Sequence, residues 1–323
     1  MSSEYILKVE DLKTHFVVSK GQKKSVVKAV DGVSFAVRHG ETVGLVGESG
    51  CGKSTIGRTI MRFNNPTSGK IYLDGDDITT CDMAPYRKKM QMVFQDPYSS
   101  LDPRMSINDI VGEPLDIQYP KMSRKERDER VIEQLRLVGI NSEQLSRFPH
   151  EFSGGQRQRI SIARSMVIKP EFMVLDEPVS ALDVSIQAQI INMLMDLQEQ
   201  MGLAYLFIAH DLAVVRHISK HVVVMYLGHV MEINDAQDLY HHPVHPYTRA
   251  LLSAIPVPDP KTSRTRKREI LQGDVPSPIN PPKGCPFSTR CRYATDECRE
   301  VPPVMTDLGG GHQVACHHYQ DIV

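Results

Sequence analysis

The chain contains the stretch Gly47-Glu48-Ser49-Gly50-Cys51-Gly52-Lys53-Ser54-Thr55. It follows the apolar run 41–46 and precedes a segment of helical character, 56–62. Glycines let successive backbone N–H groups surround a polyphosphate, and the N-terminus of the following helix favours negative charge. In such a loop we expect Lys53 to reach the β- and γ-phosphates and Ser54 to contact Mg²⁺. The stretch therefore predicts an ATP or GTP site, and the alternative is a plain glycine turn between strand and helix.

Length and composition indicate an ordinary globular protein of 323 residues, with 41% hydrophobic and 24% charged side chains. Lys and Arg number 38 against 39 Asp and Glu, so no overall basic field recruits nucleic acid, and we expect no nucleic-acid partner. The N-terminus lacks the pattern of a signal peptide, and the apolar run 222–227 is too short to span a bilayer. We therefore expect a soluble protein whose membrane role, if any, comes through a partner.

Hydrophobic patterning predicts an α/β fold. Alternating residues at 6–18 and 26–37 predict a β-hairpin with its turn at 21–24, and residues 96–104 are predicted to form a loop. The apolar runs 172–175 and 203–209 predict buried parallel strands, joined by a helix over 185–200. A helical insert is predicted over 106–147. Strands that alternate with helices predict a mostly parallel sheet, with ligands at the carboxyl ends of its strands.

Polar residues at the predicted strand ends are candidates for the chemistry. Asp176 suits a Mg²⁺ site, and Glu177 could accept a proton from an attacking water. The alternative is a salt-bridged strand end. Ser153 precedes two glycines and a predicted helix, which makes a second helix N-terminus able to meet phosphate oxygens. His210 follows another strand and could donate to the γ-phosphate, although a lone histidine there is more often structural.

In their order along the chain, these motifs resemble those of the ATP-binding cassette (ABC) ATPases of membrane transporters, over residues 5–254. The resemblance rests on the phosphate loop 47–55, Gln95 of the Q-loop, the signature Ser153-Gly154-Gly155-Gln156, the pair Asp176-Glu177, the D-loop Ser180-Ala181-Leu182-Asp183 and the switch residue His210. It implies a P-loop NTPase cassette with a RecA-like parallel sheet core, an antiparallel β layer and a helical subdomain at about 100–168. It also implies a head-to-tail dimer, in which the phosphate loop of one subunit and the signature of the other enclose each ATP.

The same resemblance implies roles for individual residues in ATP hydrolysis. Ser54, Gln95 and Asp176 would surround Mg²⁺, while Glu177, His210 and Gln95 would act in catalysis. Phe16 matches the position that stacks on adenine, and plain core packing is its alternative. Signature residues 153–156 would complete the nucleotide site across the dimer.

A finer resemblance is to the ATP-binding subunits of bacterial oligopeptide and dipeptide importers, carried by the segments 95–104, 245–252 and 273–278. It implies an ATP-hydrolysing motor subunit, bound peripherally to the cytoplasmic face of the inner membrane. The implied partners are a paralogous ATPase subunit, two integral membrane permease subunits and an extracytoplasmic solute-binding protein. Importers of nickel, opines, sugars or glutathione use similar ATPases and are alternatives, as is, with less support, a soluble cassette ATPase outside transport.

The sequence changes character near residue 255. We predict a nucleotide-binding domain at 1–254 and a loop-rich extension at 255–323, with a basic run at 261–269 as a solvated linker. The extension carries Cys285, Cys291, Cys298 and Cys316. Their spacing fits common zinc sites poorly and is acceptable for an iron–sulfur cluster. The C-terminal extension of the importer family, which this segment resembles, holds a 4Fe–4S cluster. We therefore expect a 4Fe–4S cluster here, with Zn²⁺ and unliganded thiols as alternatives.

Histidines in two clusters add possible ligands. The residues are His241, His242, His245, His312, His317 and His318. The first three flank a proline turn or a helix start, and the last three lie in a turn-rich tail. We predict structural roles for the first three rather than a metal site, and turn or surface positions rather than spare ligands for the last three.

Overall fold

The computed structural model describes residues 3–20, 23–255, 269 and 271–322. Its internal contacts divide the chain into two compact units. Unit 1 comprises the described residues of Met1–Val37, Thr42–Thr80 and Ala209–Val323, and unit 2 those of Arg38–Glu41 and Cys81–Ile208. The basic run 261–269 lies almost wholly outside the described residues, as do positions 21 and 22 of the predicted turn. The predicted domain boundary at residue 254 stays a prediction.

The strands of the described part of the chain are, in order, β1 (Tyr5–Lys20), β2 (Lys23–Arg38), β3 (Thr42–Val46), β4 (Ser68–Leu73), β5 (Asp76–Asp77), β6 (Met90–Val93), β7 (Phe172–Asp176), β8 (Ala204–Ile208), β9 (His221–Tyr226), β10 (His229–Asp235), β11 (Thr306–Gly309) and β12 (His312–Val314).

The α-helices there are α1 (Lys53–Ile60), α2 (Pro97–Ser100), α3 (Ile107–Gln118), α4 (Arg124–Leu137), α5 (Gly154–Met166), α6 (Val184–Met201), α7 (Leu212–Ile218), α8 (Ala236–His241), α9 (Pro246–Ser253) and α10 (Asp296–Glu300). Single 3-10 turns occur at Tyr86–Lys88, Ser142–Gln144 and Pro149–Glu151.

Unit 1 contains an antiparallel layer and part of a second sheet. In the layer the strand order is β2-β1-β4-β5, and Leu7 of β1 lies opposite Leu73 of β4. Strand β3 pairs in parallel with β9, with Val46 opposite Val224, and β10 runs antiparallel to β9. The neighbouring long strands β1 and β2 confirm the two strands of the predicted hairpin.

The C-terminal strands extend this second sheet. β12 pairs antiparallel with β10, with Val314 opposite Glu232, and β11 pairs with β12. The extension also contacts the unit near the start of β2, where Lys28 N donates to Pro278 O at 3.1 Å. It was predicted as a loop-rich tail, but its described part continues the sheet of unit 1 by main-chain pairing.

Unit 2 contains three parallel strands in the order β6-β7-β8, with Leu175 of β7 opposite Val93 of β6 and Phe207 of β8. Every residue of β7 and β8 is buried. Strands buried on both faces have continuous apolar sequences, which is why the apolar runs predicted them. Helix α6 matches the predicted helix at 185–200 closely.

The predicted helical insert of unit 2 is confirmed, whereas the predicted loop before it needs correction. The insert at 106–147 is two helices, α3 and α4, separated at residues 119–123. Pro120 disfavours a helical conformation at Tyr119, and Ser123 caps α4 by accepting from Glu126 N at 3.2 Å. The predicted loop at 96–104 contains the short helix α2, because Asp96 caps it and accepts from Tyr98 N at 2.9 Å.

Candidate nucleotide-binding site

The phosphate loop connects β3 to α1 in unit 1, as predicted. Gly47 and Gly52 have φ values of 152° and 105°, a region that side-chain-bearing residues rarely adopt. A Cβ on Gly47 would lie 2.2 Å from Met225 O, and one on Gly52 would lie 2.2 Å from Ala29 O. The loop therefore needs glycine at both positions for conformation and for space.

Lys53 begins α1 and points back into this loop. Its side chain is 5% exposed, and Nζ donates to Gly47 O at 2.7 Å and to Glu48 O at 3.1 Å. No side chain caps the N-terminus of α1, whose N-cap is Gly52. The N-terminus of a helix favours negative charge, and this one lies beside a buried cation. This arrangement can bind a phosphate group.

A second set of predicted residues lies at the carboxyl end of β7 in unit 2. Asp176 is 1% exposed. Glu177 has φ 47°, a strained conformation for glutamate, and its Oε2 accepts from Gln95 Nε2 at 2.9 Å. The backbone holds this conformation, since Glu177 N donates to Ile208 O and Glu177 O accepts from Ser180 N. Strain of this kind concentrates at functional sites, which supports the predicted role of Glu177.

The signature residues form the N-terminus of α5 in unit 2. Ser153 and Gln156 make a reciprocal capping box: Gln156 N donates to Ser153 Oγ at 3.4 Å and Ser153 N donates to Gln156 Oε1 at 3.0 Å. A Cβ on Gly155 would lie 2.5 Å from Ile186 Cγ2, so glycine permits close packing of α5 on α6. The predicted N-cap is confirmed. The dimer role of these residues stays a prediction.

Two further predicted residues lie in unit 1. His210 is exposed and follows the end of β8, one residue before Asp211 caps α7 by accepting from Ala213 N. Phe16 lies on β1 with 38% of its surface exposed. That exposure argues against core packing and leaves the ring available for stacking on a base. Both roles stay predictions.

Sequence reasoning missed a group of residues around Glu48. Arg290 and Glu48 form an ion pair with a shortest distance of 2.6 Å, and Glu48 N donates to Tyr247 Oη at 2.9 Å. The two partners follow Glu48 by 242 and 199 positions in sequence. The only available signal was chemical: an acidic side chain in a loop for an anion needs a positive partner.

The four cysteines of the extension are free thiols in the described structure. Burial, with smaller contributions from Cys298, Cys316 and Cys291, raises the pKa of Cys285 to about 12. Burial first, and then Cys291 and Cys298, raises the pKa of Cys316 to about 11. Other cysteines of the extension thus contribute to both shifts, but less than burial does. Among the described residues, however, no three His, Cys, Asp or Glu side chains are grouped closely enough to hold a metal ion, so the structure does not support the predicted metal-binding extension.

His312 was predicted to be a turn or surface residue, but it begins β12 and contacts a buried glutamate. His312 Nε2 lies 2.8 Å from Glu232 Oε1, and Glu232 is fully buried. Glu232 also accepts from Val244 N and His245 N. The pair therefore fixes β12 of the extension to β10.

Within the described ranges, no helix combines the length and the apolar character that crossing a bilayer requires.

Two family profiles match the chain. The ABC transporter profile matches residues 30–180, and the profile of the oligopeptide/dipeptide transporter C-terminal region matches residues 231–298. The putative oligopeptide transport ATP-binding protein YkfD of Bacillus subtilis is 52% identical over 319 residues, covering 98% of this chain and 96% of the relative. The oligopeptide transport ATP-binding protein OppF of Salmonella typhimurium is 49% identical, covering 96% of this chain and 95% of the relative.

Solved structures show the same cassette fold. The ATP-binding cassette MJ0796, a dimer in a post-hydrolysis state bound to ADP and Pi, superposes with a TM-score of 0.64 at 28% identity, over 71% of this chain and 98% of its own. The cbiO1 protein of Clostridium perfringens, part of the ABC transporter complex cbiONQ, gives a TM-score of 0.66 at 28% identity, over 74% of this chain and 92% of its own.

Proposed function

This chain belongs to the ABC transporter ATPases, within the group of oligopeptide transport ATP-binding proteins, and from that membership we propose that it hydrolyses ATP to drive oligopeptide import. The observation that carries the catalytic part is the position of Glu177: a strained residue at the end of a buried strand, hydrogen-bonded to Gln95 at 2.9 Å. A carboxylate held in this way can accept a proton from a water molecule that attacks the γ-phosphate.

In this proposal the nucleotide is held by the loop 47–55 and by Phe16. Backbone N–H groups of the loop and the Lys53 amine bind the phosphates, and the Phe16 ring stacks on adenine. Ser54, Gln95 and Asp176 offer hydroxyl, amide and carboxylate oxygens, the ligands that Mg²⁺ prefers, so this set of donors fits the ion. Bound Mg²⁺ would neutralise phosphate charge. His210 would donate a hydrogen bond to the γ-phosphate.

We propose that the signature residues 153–156 act on the nucleotide of a second ATPase subunit. The support is the capped, exposed N-terminus of α5. It can bind an anion, because no acidic residue in its first turn would repel one. A paralogous subunit would make a heterodimer, and two copies of this chain would make a homodimer. We favour the paralogue because importers that this chain resembles pair two distinct ATPase subunits.

The proposed membrane partners are two permease subunits, which receive peptide from an extracytoplasmic solute-binding protein. Support comes from the surface that follows Gln95. A cavity of about 540 Å³ lies beside α2, lined by residues that include Tyr98, Arg104 and Glu113. Tyr98 is 66% exposed. A permease helix bound here would be displaced when Gln95 moves. The chain would then be a peripheral protein at the cytoplasmic face of the membrane.

We also propose that the four cysteines of the extension hold a 4Fe–4S cluster, with Zn²⁺ as the alternative. The support is that four free thiols occur close together in sequence, between Cys285 and Cys316, in a segment with little secondary structure. Small segments without a core of their own are often stabilised by a metal group. Iron and sulfide analysis of protein purified without oxygen tests this; zinc alone would favour the alternative.

Replacing Glu177 by Gln tests the catalytic proposal. The amide keeps the shape and the contact with Gln95 but cannot accept the proton, so ATP hydrolysis should fall about 100-fold or more while ATP still binds. Glu171→Gln is a matched control, because Glu171 is an exposed glutamate just before the other end of β7. Phosphate release by the ATPase dimer measures both variants. Equal hydrolysis by the Glu177→Gln protein would refute the role of Glu177.

A further inference from the structure

Glu48 is an acidic residue in a loop built for an anion, and its carboxylate is held by one guanidinium. Arg290 Nη1 donates to Oε2 at 2.6 Å and Nη2 donates to Oε1 at 3.1 Å, a bidentate pair. The side chain of Arg290 is only 7% exposed. Nη1 also lies 3.4 Å from Tyr226 Oη. Glu48, first among several causes, raises the pKa of Arg290, so the guanidinium stays charged.

The backbone of Glu48 is held by a second partner from the same region. Glu48 N donates to Tyr247 Oη at 2.9 Å, so this amide is not free for a phosphate. The rings of Tyr226, Tyr247 and Phe287 contact one another, with centroid distances of 4.8 to 5.3 Å. Phe287 and Arg290 both belong to the C-terminal extension. The extension therefore packs on the residues that hold Glu48.

The ion pair of Arg290 with Glu48 affects nucleotide binding because Glu48 is negatively charged. The phosphates of ATP carry several negative charges, and an unpaired carboxylate in the loop would repel them. Pairing with Arg290 compensates that charge and orients the Glu48 carboxylate toward the extension. Arg290 is 7% and Glu48 27% exposed, so removing the arginine leaves a partly buried, uncompensated carboxylate, which costs more than the loss of an exposed ion pair.

We propose that Arg290 is a positioning residue of the nucleotide site, which holds the Glu48 carboxylate away from the phosphates and so makes the C-terminal extension part of the ATP-binding machinery. The inference rests on the proposed function of the loop as the ATP site. It concerns the arginine alone and holds whatever the neighbouring cysteines bind.

Nucleotide affinity of the full chain tests the inference. We would measure the Kd of a fluorescent ATP analogue in a Glu177→Gln background, where turnover is suppressed. Arg290→Ala should raise the Kd about tenfold, the order expected for one uncompensated charge near the phosphates. The matched control is Arg292→Ala, because Arg292 is exposed and its hydrogen bond is to Tyr293. Its Kd should stay within about twofold of the unmutated value.

Two comparisons separate charge from simple loss of structure. The double variant Glu48→Gln with Arg290→Ala removes both charges and should recover the affinity to within about threefold of the unmutated chain. The loss in Arg290→Ala should also be larger for ATP than for ADP, since ATP carries more negative charge. A loop that had merely lost its shape would bind both nucleotides more weakly by the same factor and would not be rescued.

These measurements distinguish failure of the positioning role from failure of the proposed function. Unchanged ATP affinity in Arg290→Ala, or a double variant as weak as the single one, overturns the positioning role alone. No ATP binding by the unmutated chain overturns the proposed function and this inference with it. Where Arg290→Ala does not fold, Arg290→Lys serves instead: it keeps one charge without the bidentate geometry, and a Kd raised about threefold supports the inference while an unchanged Kd overturns it.

Discussion

His245 shows how burial decides what a residue does. It is 1% exposed, and its Nδ1 accepts a hydrogen bond from Tyr247 N at 3.1 Å, so it serves as the N-cap of α9. Burial lowers its pKa to about 4, against a smaller opposing effect of Glu232. The ring must be neutral to accept this bond. The structural role predicted for His245 is confirmed.

The protein should lose stability in mild acid because of this residue. In the unfolded chain the histidine binds a proton below a pKa of about 6.5, whereas in the folded chain it resists protonation down to about 4. Its contribution is therefore fully present above pH 6.5 and falls as the pH drops toward 4. Between pH 7 and pH 5 the loss should be about 2 kcal/mol in the free energy of unfolding.

His245→Asn tests this expectation. Asparagine keeps an acceptor at the N-cap but does not titrate. Urea unfolding at pH 7 and at pH 5 should show a smaller acid loss in the variant, by about 2 kcal/mol. His229, whose pKa burial also lowers, is present in both proteins and cancels in the comparison. The same pH dependence in both proteins would contradict the assignment.

Residues also differ in how far the sequence could predict them. The glycines and lysine of the loop 47–55 were predictable, because neighbours in sequence carry the whole pattern. The pairing of Glu48 with Arg290 was not, since it joins positions 242 residues apart and depends on how the extension packs. The pair of Glu232 and His312 was missed for the same reason, since the two positions are 80 apart in sequence.

Among the elements, the N-terminus of α5 has two roles, helix capping and the proposed contact with nucleotide, and two matched substitutions can separate them. Ser153 caps the helix and is also placed in the proposed contact with a second subunit's nucleotide. Ser153→Ala should lower the free energy of unfolding by about 1 kcal/mol, through loss of the cap. It should in addition lower the ATP hydrolysis of the dimer severalfold, because a phosphate loses a hydroxyl donor.

Ser123→Ala is the matched control for that experiment. Ser123 caps α4 in the same way, with Glu126 N donating to its Oγ at 3.2 Å, but it belongs to no predicted motif. Thermal unfolding should show a similar loss for both variants, whereas phosphate release should fall only for Ser153→Ala. If hydrolysis followed stability equally in the two variants, α5 would have no separate role at the nucleotide.

Elements were predictable where the signal is local and periodic. Buried strands such as β7 and β8 have unbroken apolar runs, and α6 has a regular apolar stripe. The break between α3 and α4 was missed because periodicity continues on both sides of it, and one proline with a capping serine decides the boundary. Helix α2 is four residues long, too short for any periodic pattern.

At the scale of the whole molecule, the described part of the extension belongs to the same compact unit as the phosphate loop. Main-chain pairing of β12 with β10, the buried pair of Glu232 and His312 and the contact of Arg290 with Glu48 all hold it there. Composition could not predict this, because a segment rich in proline and cysteine looks like a tail until its pairing partners are known. Nucleotide binding and the extension are thus physically connected.

Peptide uptake by cells tests the central claim, that this chain is an ATP-hydrolysing motor for oligopeptide import. Cells that lack the chain but keep its transport partners would be given either the unmutated protein or Glu177→Gln, at equal amounts, and supplied with a labelled oligopeptide. We expect uptake with the unmutated chain and almost none with Glu177→Gln. Uptake that does not need the chain, or that Glu177→Gln restores fully, would contradict it.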